Sequence, residues 1–405
     1  MSSIALSYSI FTQEKEIREQ LAQASGYELV SDRDIIDQVN FEHGVERSKV
    51  ERALYGPPSV FNQFTLERET ITAYLKAVVA AKAAVTGMIF SGFISQLIPA
   101  SVSHVLKVGI FDDKSHRLRR AVAEGLTEKA ALKLMKRHDA GIGDWVDFLH
   151  KKPANDPSLY DIFLSRRVET PEEAVQLILE NYRKPTVLIS PASRQAAADM
   201  VLSARVELVL AARGYSMEVA CSEGRVLLRV NKSVHNFTKL SRNLTSLVAE
   251  LEGVEKVEVR AGREYHVSIY RDQEFKLPPK VLLVDDEQEF VQTLSERLNT
   301  RSYGSHPVFD GEQALECLVH DTPDVMVLDL KMPGMQGVEV LERVKASKPQ
   351  VQVIILTGHG SEEERKTCMD FGAFAYLRKP VDLGQLTTII DQAYTKTATT
   401  RAALA

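Results

Sequence analysis

The chain has 405 residues, 44% apolar and 26% charged, which is the balance of a folded globular protein and excludes a fibrous or disordered one. At ~100–200 residues per domain, that length implies two to four units. Fifty-five acids against 50 bases leave a formal charge of −5, with no basic run to follow a phosphate backbone, so nucleic acid is not an expected partner. The three cysteines, Cys221, Cys317 and Cys368, lack C-x-x-C spacing and read as small buried hydrophobes in a reducing compartment.

From Met1 to Glu14 there is neither a basic start nor a long apolar core, so no secretory signal is expected. Ala83 to Val102 is an uncharged stretch of membrane-spanning length, but Gly87, Ser91, Gly92, Ser95, Gln96 and Pro99 interrupt it. It reads as a short strand, a turn and a short buried helix. No membrane insertion is expected, and the location implied is cytoplasmic. Three stretches carry a resemblance: Ser31-Asp32-Arg33-Asp34-Ile35-Ile36, His116-Arg117 through Glu128, and Asn155-Asp156-Pro157-Ser158-Leu159-Tyr160-Asp161. With them, residues 1–184 resemble the cytidylate-kinase-like family of P-loop nucleotide kinases, which implies an α/β domain with a phosphate loop after its first strand.

The departures from that family bear on activity. A phosphate loop needs glycines so that successive amides can close on the anion, a lysine on the phosphates and a hydroxyl on the metal. The corresponding stretch, Ser9 to Ile17, has no glycine; only Lys15 could keep its role, Glu16 replaces the hydroxyl, and Glu14 adds further negative charge. His138 to Asp144 likewise carries small or apolar residues where the resemblance implies arginines on the transferring phosphoryl group, groups worth orders of magnitude in rate. The domain reads as catalytically degenerate. Asp32 and Arg33 either hold a nucleotide or form a turn and helix start.

Thr170-Pro171-Glu172-Glu173 marks a helix start, with a cap residue, proline and first-turn acids, and Lys184-Pro185 closes the first unit. In residues 185–275, Ala196–Ala212 is helical in spacing. Ser216–Cys221 and Arg225–Val230 are β-like runs joined at Glu223-Gly224, Val234–Leu251 is helical, and Gly253–Val259 alternates at period two. This αββαβ order resembles the BON domain and implies a small α+β binding module; a linker domain without a ligand accounts for the same order.

Pro278-Pro279 stiffens the chain before the apolar run Val281–Val284. From there, short strands (Val281–Val284, one near Val308, Val325–Leu328, Val353–Leu356, Ala375–Leu377) alternate with helices, predicting a doubly wound (βα)5 parallel sheet over residues 276–396. Polar residues stand at the strand ends, where such sheets place function: Asp285 and Asp286, Asp329, Thr357, and Lys379 before Pro380. Clustered acids repel one another and call for a hard cation. Asp285 or Asp286, with Asp329 and the Lys331 backbone carbonyl, suits Mg2+. Asp329 is then the nucleophile toward phosphorus, with Lys379 and Thr357 on the phosphoryl oxygens.

Val284-Asp285-Asp286-Glu287, Leu328-Asp329-Leu330-Lys331-Met332-Pro333-Gly334 and Arg378-Lys379-Pro380 resemble the response regulator receiver family. The resemblance implies a flavodoxin-like fold, phospho-acceptance on Asp329, and a Thr357–Tyr376 switch. It also implies a cognate sensor histidine kinase or phosphotransfer protein as donor and an unknown downstream protein partner. An alternative reading is a nucleotide kinase of CMP type gated by the receiver.

Overall fold

The computed structural model describes residues 2–165, 170–231, 236–262, 278–358 and 361–404. It divides the chain into two compact units, Met1–Pro58 with Arg68–Phe275, and Ser59–Glu67 with Lys276–Ala405. In the first unit, β1 (Ser3–Tyr8), β2 (Glu28–Ser31), β3 (Met88–Ser91), β4 (Val105–Ile110) and β5 (Ile162–Leu164) form a parallel sheet in the order β2-β3-β1-β4-β5. Central β1 is buried along Ser3–Ser7 because helices cover both faces, which is why parallel strands read as apolar runs rather than as alternation.

One face packs Ile4, Leu6, Ile89 and Val108 with Ile17 and Leu21 of helix Glu14–Ser25 and Ile178 of helix Pro171–Tyr182. The other packs Ala5, Val30 and Phe90 with Ile35, Leu54, Leu75 and Trp145. Trp145, the only tryptophan in the chain, is fully buried and donates Nε1–H to the Phe93 carbonyl at 3.0 Å. The interrupted apolar stretch resolves into β3 and a 3-10 turn, Phe93–Leu97, as its turn residues predict. No helix among the described residues is long and apolar enough to cross a membrane.

A second, three-stranded sheet follows: β6 (Glu218–Ser222), β7 (Arg225–Val230) and β8 (Lys256–Ala261), with β6 antiparallel and β8 parallel to β7. Glu223 and Gly224 connect β6 to β7 at φ 48° and 75°, the left-handed pair whose twist suits a two-residue hairpin. Val226, Leu228 and Val230 alternate inward against Leu202, Val206 and Leu210 of helix Pro191–Ala211 and Leu240, Leu244 and Val248 of helix Phe237–Ala249. The second helix starts at Phe237 because the Asn236 side chain accepts from Lys239 N at 2.9 Å. Val234, the start expected from spacing, lies outside the described residues.

In the second unit, β9 (Lys280–Val284), β10 (Gly304–Val308), β11 (Val325–Leu328), β12 (Gln352–Thr357) and β13 (Ala375–Arg378) are all parallel, in the order β10-β9-β11-β12-β13. This is the flavodoxin-like order of doubly wound sheets. Val281, Leu283, Val327 and Ile354 face helices Gln288–Asn299 and Leu383–Leu404, whereas Leu282, Val284, Met326 and Ile355 face the helices that begin at Gly311, Gly337 and Glu362. β10, Gly-Ser-His-Pro-Val, is weakly marked because an edge strand tolerates Pro307, which has no amide donor. Phe275 to Leu277, at the expected start of this domain, lie outside the described residues.

Candidate functional site

The loop after β1, where the resemblance placed a phosphate loop, makes hydrogen bonds within itself. Phe11 and Gln13 sit at φ 63° and 61°, left-handed positions that glycine adopts without strain. The Glu14 carboxylate accepts from Thr12 N at 2.9 Å, so an internal anion occupies that amide. Outside the loop, Arg117 donates Nε–H to the Ile10 carbonyl at 2.8 Å and pairs with both Asp139 oxygens at 2.8 and 2.9 Å. Burial works against ionised Asp139, but His138 and Arg117 beside it prevail and hold it at about 2. Arg120 pairs with Asp112 at 2.8 Å and reaches the Phe11 carbonyl at 3.5 Å.

Lys15 lies exposed on the following helix, and Arg33 is 81% exposed, 4.0 Å from Asp37. Asp32 accepts from the amides of Phe93 and Ile94 at 3.1 and 2.9 Å and from the Tyr55 hydroxyl. A Cβ on Gly92, at φ 111°, would fall 2.4 Å from the Asp32 carboxylate. Asp32 therefore fastens the turn that carries Trp145's acceptor.

Burial pushes the Asp32 carboxyl up to about 6, against these hydrogen bonds. A carboxyl raised in the fold binds its proton more tightly there, so its stabilisation is complete below about pH 4 and is lost as pH rises through its folded value. Between pH 4 and 7 the first unit should lose roughly 3 kcal/mol from this group. Asp32→Asn should flatten that slope in urea melts followed by Trp145 fluorescence; an unchanged slope would assign it to another group.

In the second unit the strand register assembles the acids. Leu328 of β11 pairs with Val284 of β9, so Asp329 and Asp285 leave the sheet side by side. Asp285, Asp286 and Asp329 offer carboxylate oxygens within 4.8 Å of one another; Asp285 and Asp329 are 4% and 5% exposed, while Asp286 is open to solvent. Thr357 of β12 pairs with Arg378 of β13, which brings Lys379 to the same edge. Its Nζ lies 2.7 Å from Asp285 Oδ2, 2.9 Å from Glu287 Oε1 and 3.9 Å from Asp329 Oδ2. Asp329 Oδ1 accepts from Leu330 N at 2.8 Å, and Thr357 is fully buried.

Charge is unevenly met at this edge. Burial raises the Asp285 carboxyl despite Lys379 and the Glu287 amide. Burial alone would lower Lys379, but its bonds to Asp285 and Glu287 raise it above its ordinary value. One ammonium faces three acids, and the set of hard oxygen donors suits a divalent cation such as Mg2+. The Lys331 side chain turns instead to Glu364 at 3.0 Å. Tyr376 is partly buried, and its hydroxyl has no hydrogen-bond partner among the described residues.

Three contributors were not assigned from sequence: Glu287, Phe290, whose ring centroid lies 4.7 Å from Lys379 Nζ, and Gly337. A Cβ on Gly337 would stand 2.1 Å from the Asp329 carbonyl oxygen, and its amide donates to the Leu330 carbonyl at 3.1 Å, closing the loop that holds Asp329. The acidic run Asp285-Asp286-Glu287 was the available signal for Glu287. Phe290 and Gly337 act across the fold and left none.

The sequence model of the cytidylate kinase-like family matches residues 3–167, and that of the response regulator receiver domain matches residues 281–391. Over 107 residues the chain is 34% identical to sporulation initiation phosphotransferase F of Bacillus subtilis, covering 26% of this chain and 86% of that protein. Response regulator MprA of Mycolicibacterium vanbaalenii is 34% identical over 110 residues, 27% of this chain and 48% of its own length. A crystal structure of a response regulator receiver domain protein from Clostridium thermocellum is 32% identical, with a TM-score of 0.29, covering 30% of this chain and 97% of that one. The chain thus spans about half of MprA. Through residues 281–391, this chain belongs to the response regulator receiver family.

Proposed function

We propose that the chain is a response regulator that takes a phosphoryl group on Asp329 from a sensor histidine kinase or phosphotransfer protein and passes the signal to a protein partner. The observation that carries this reading is the set of three acids and one ammonium at the carboxyl ends of β9, β11 and β13. A carboxylate oxygen of Asp329 bonds to phosphorus as the P–N bond to the donor's histidine breaks and the imidazole leaves, giving an acyl phosphate. Asp285, Asp286, Asp329 and the Lys331 carbonyl would hold Mg2+, which would supply charge to neutralise the donor oxygens. Lys379 shifts from its carboxylate partners toward the new phosphoryl oxygens, and the Thr357 hydroxyl donates to one of them. Tyr376, whose hydroxyl has no hydrogen-bond partner among the described residues, moves with Thr357 as the switch.

Residues 1–184 serve in this reading as a cytidylate-kinase-like binding region without phosphoryl transfer, supported by Glu14 on the Thr12 amide. Residues 185–275 serve as a BON-like contact module, supported by their αββαβ order, and the protein acts in the cytoplasm. Incubation with acetyl phosphate and Mg2+ should yield a hydroxylamine-labile label on the full chain that EDTA prevents. Equal labelling in EDTA would reject the metal-assisted site.

A further inference from the structure

The segment Ser59–Glu67 lies in sequence between two helices of the first unit, Arg47–Tyr55 and Glu67–Ala83, yet it packs as part of the second. Phe61 is fully buried in one cluster with Leu282, Ala314, Leu318 and Met326, and its ring meets His306 of β10 edge-on at 6.2 Å. Val60 N donates to Asp321 Oδ2 at 3.2 Å. Phe64 lies over Gly304, where a Cβ would come within 2.9 Å of its own Cβ, and Glu67 reaches Lys280 at 3.9 Å. Gly56-Pro57-Pro58 stiffens the approach, and the short helix Asn62–Thr65 presents both aromatics.

β10 is an edge strand, and an uncovered edge invites pairing with another chain. The segment covers this edge near Gly304 and His306, with further anchors at Lys280 and Asp321. The acids and Lys379 lie at the opposite, carboxyl ends of the strands.

We infer that Ser59–Glu67 is a built-in clamp that holds the receiver to the rest of its own chain, independently of the connection through residues 263–277. Its occupant is this chain's own segment because the chain enters and leaves it directly from the first unit, at Pro58 and Arg68. The clamp's contacts, at Gly304, His306, Lys280 and Asp321, do not include the acids or Lys379.

The test is a full-length protein with a protease recognition sequence inserted between Tyr270 and Arg271, cleaved after folding and run on size-exclusion chromatography with mass detection. The two pieces should co-elute at the mass of one chain. They should separate in Phe61→Asp, which removes the buried anchor, and in Gly304→Val, which fills the place of Phe64 without touching the core. Trp145 fluorescence reports that the first unit is still folded, and acetyl phosphate labelling reports the receiver. Separation of the unaltered pieces, or co-elution of both variants as folded pieces, would overturn the clamp. Co-elution only at the mass of two chains would give the segment to a second copy and overturn the intramolecular form.

Discussion

Asp329→Asn should reduce the acetyl phosphate label to background while leaving the receiver folded. The amide that replaces the carboxylate is no nucleophile toward phosphorus, and Asp285 cannot substitute because its Oδ2 is held by Lys379 at 2.7 Å and its Oδ1 accepts from Glu287 N at 3.0 Å. The substitution also removes one of three acids lying within 4.8 Å. Like charges at that spacing repel by an amount on the order of 3 kcal/mol at the effective dielectric of a protein surface. The thermal midpoint without metal should therefore hold or rise, and its increase on adding Mg2+ should shrink, since binding stabilises the fold only in proportion to affinity. Retention of label would move the acceptor elsewhere. A fall in midpoint would mean that Asp329 carries structure rather than chemistry.

Lys379→Ala should act on both stability and rate. It leaves Asp285 and Asp329, 4% and 5% exposed, without their counter-charge, and breaking such a pair from one side costs about 3 kcal/mol. Loss of one donor to the developing phosphoryl charge should slow labelling by about 100-fold. Because the Lys379 ammonium is raised in the fold, its stabilisation is intact below about pH 10 and is lost only as pH climbs through the raised value. The difference between parent and variant should accordingly stay constant from about pH 6 to 9. Chemical denaturation followed by circular dichroism, alongside labelling time courses, measures both quantities. An unchanged labelling rate would remove Lys379 from the phosphoryl pocket.

The receiver was largely legible because each acid follows an apolar strand and parallel strands in register bring consecutive strand ends together. Val284 and Leu328 pair, so Asp285 and Asp329 had to meet. The edge strand β10 was faint because an edge needs neither a full ladder of donors nor two apolar faces, and Pro307 sits there. Gly337 was illegible because only the fold brings it against the Asp329 carbonyl. The clamp was illegible for the same reason: Val60 finds its acceptor, Asp321, 261 residues further along the chain. In the first unit the missing glycines of the loop were plain in the sequence. That Glu14 turns back onto the loop's own amide was not, since Glu14 could equally have faced solvent from the first turn of its helix.

The loop after β1 holds a backbone shape at a cost. Left-handed backbone at a residue with a side chain costs roughly 1–2 kcal/mol, and the chain adopts it at both Phe11 and Gln13. Two guanidinium groups, from Arg117 and Arg120, grip the Ile10 and Phe11 carbonyls. The loop's contour is thus held from behind by arginines, while an acid of the following helix occupies the Thr12 amide. Glycines at Phe11 and Gln13 would relax the curve, yet Glu14 would still hold the Thr12 amide, so freeing that amide would need a change at Glu14 itself.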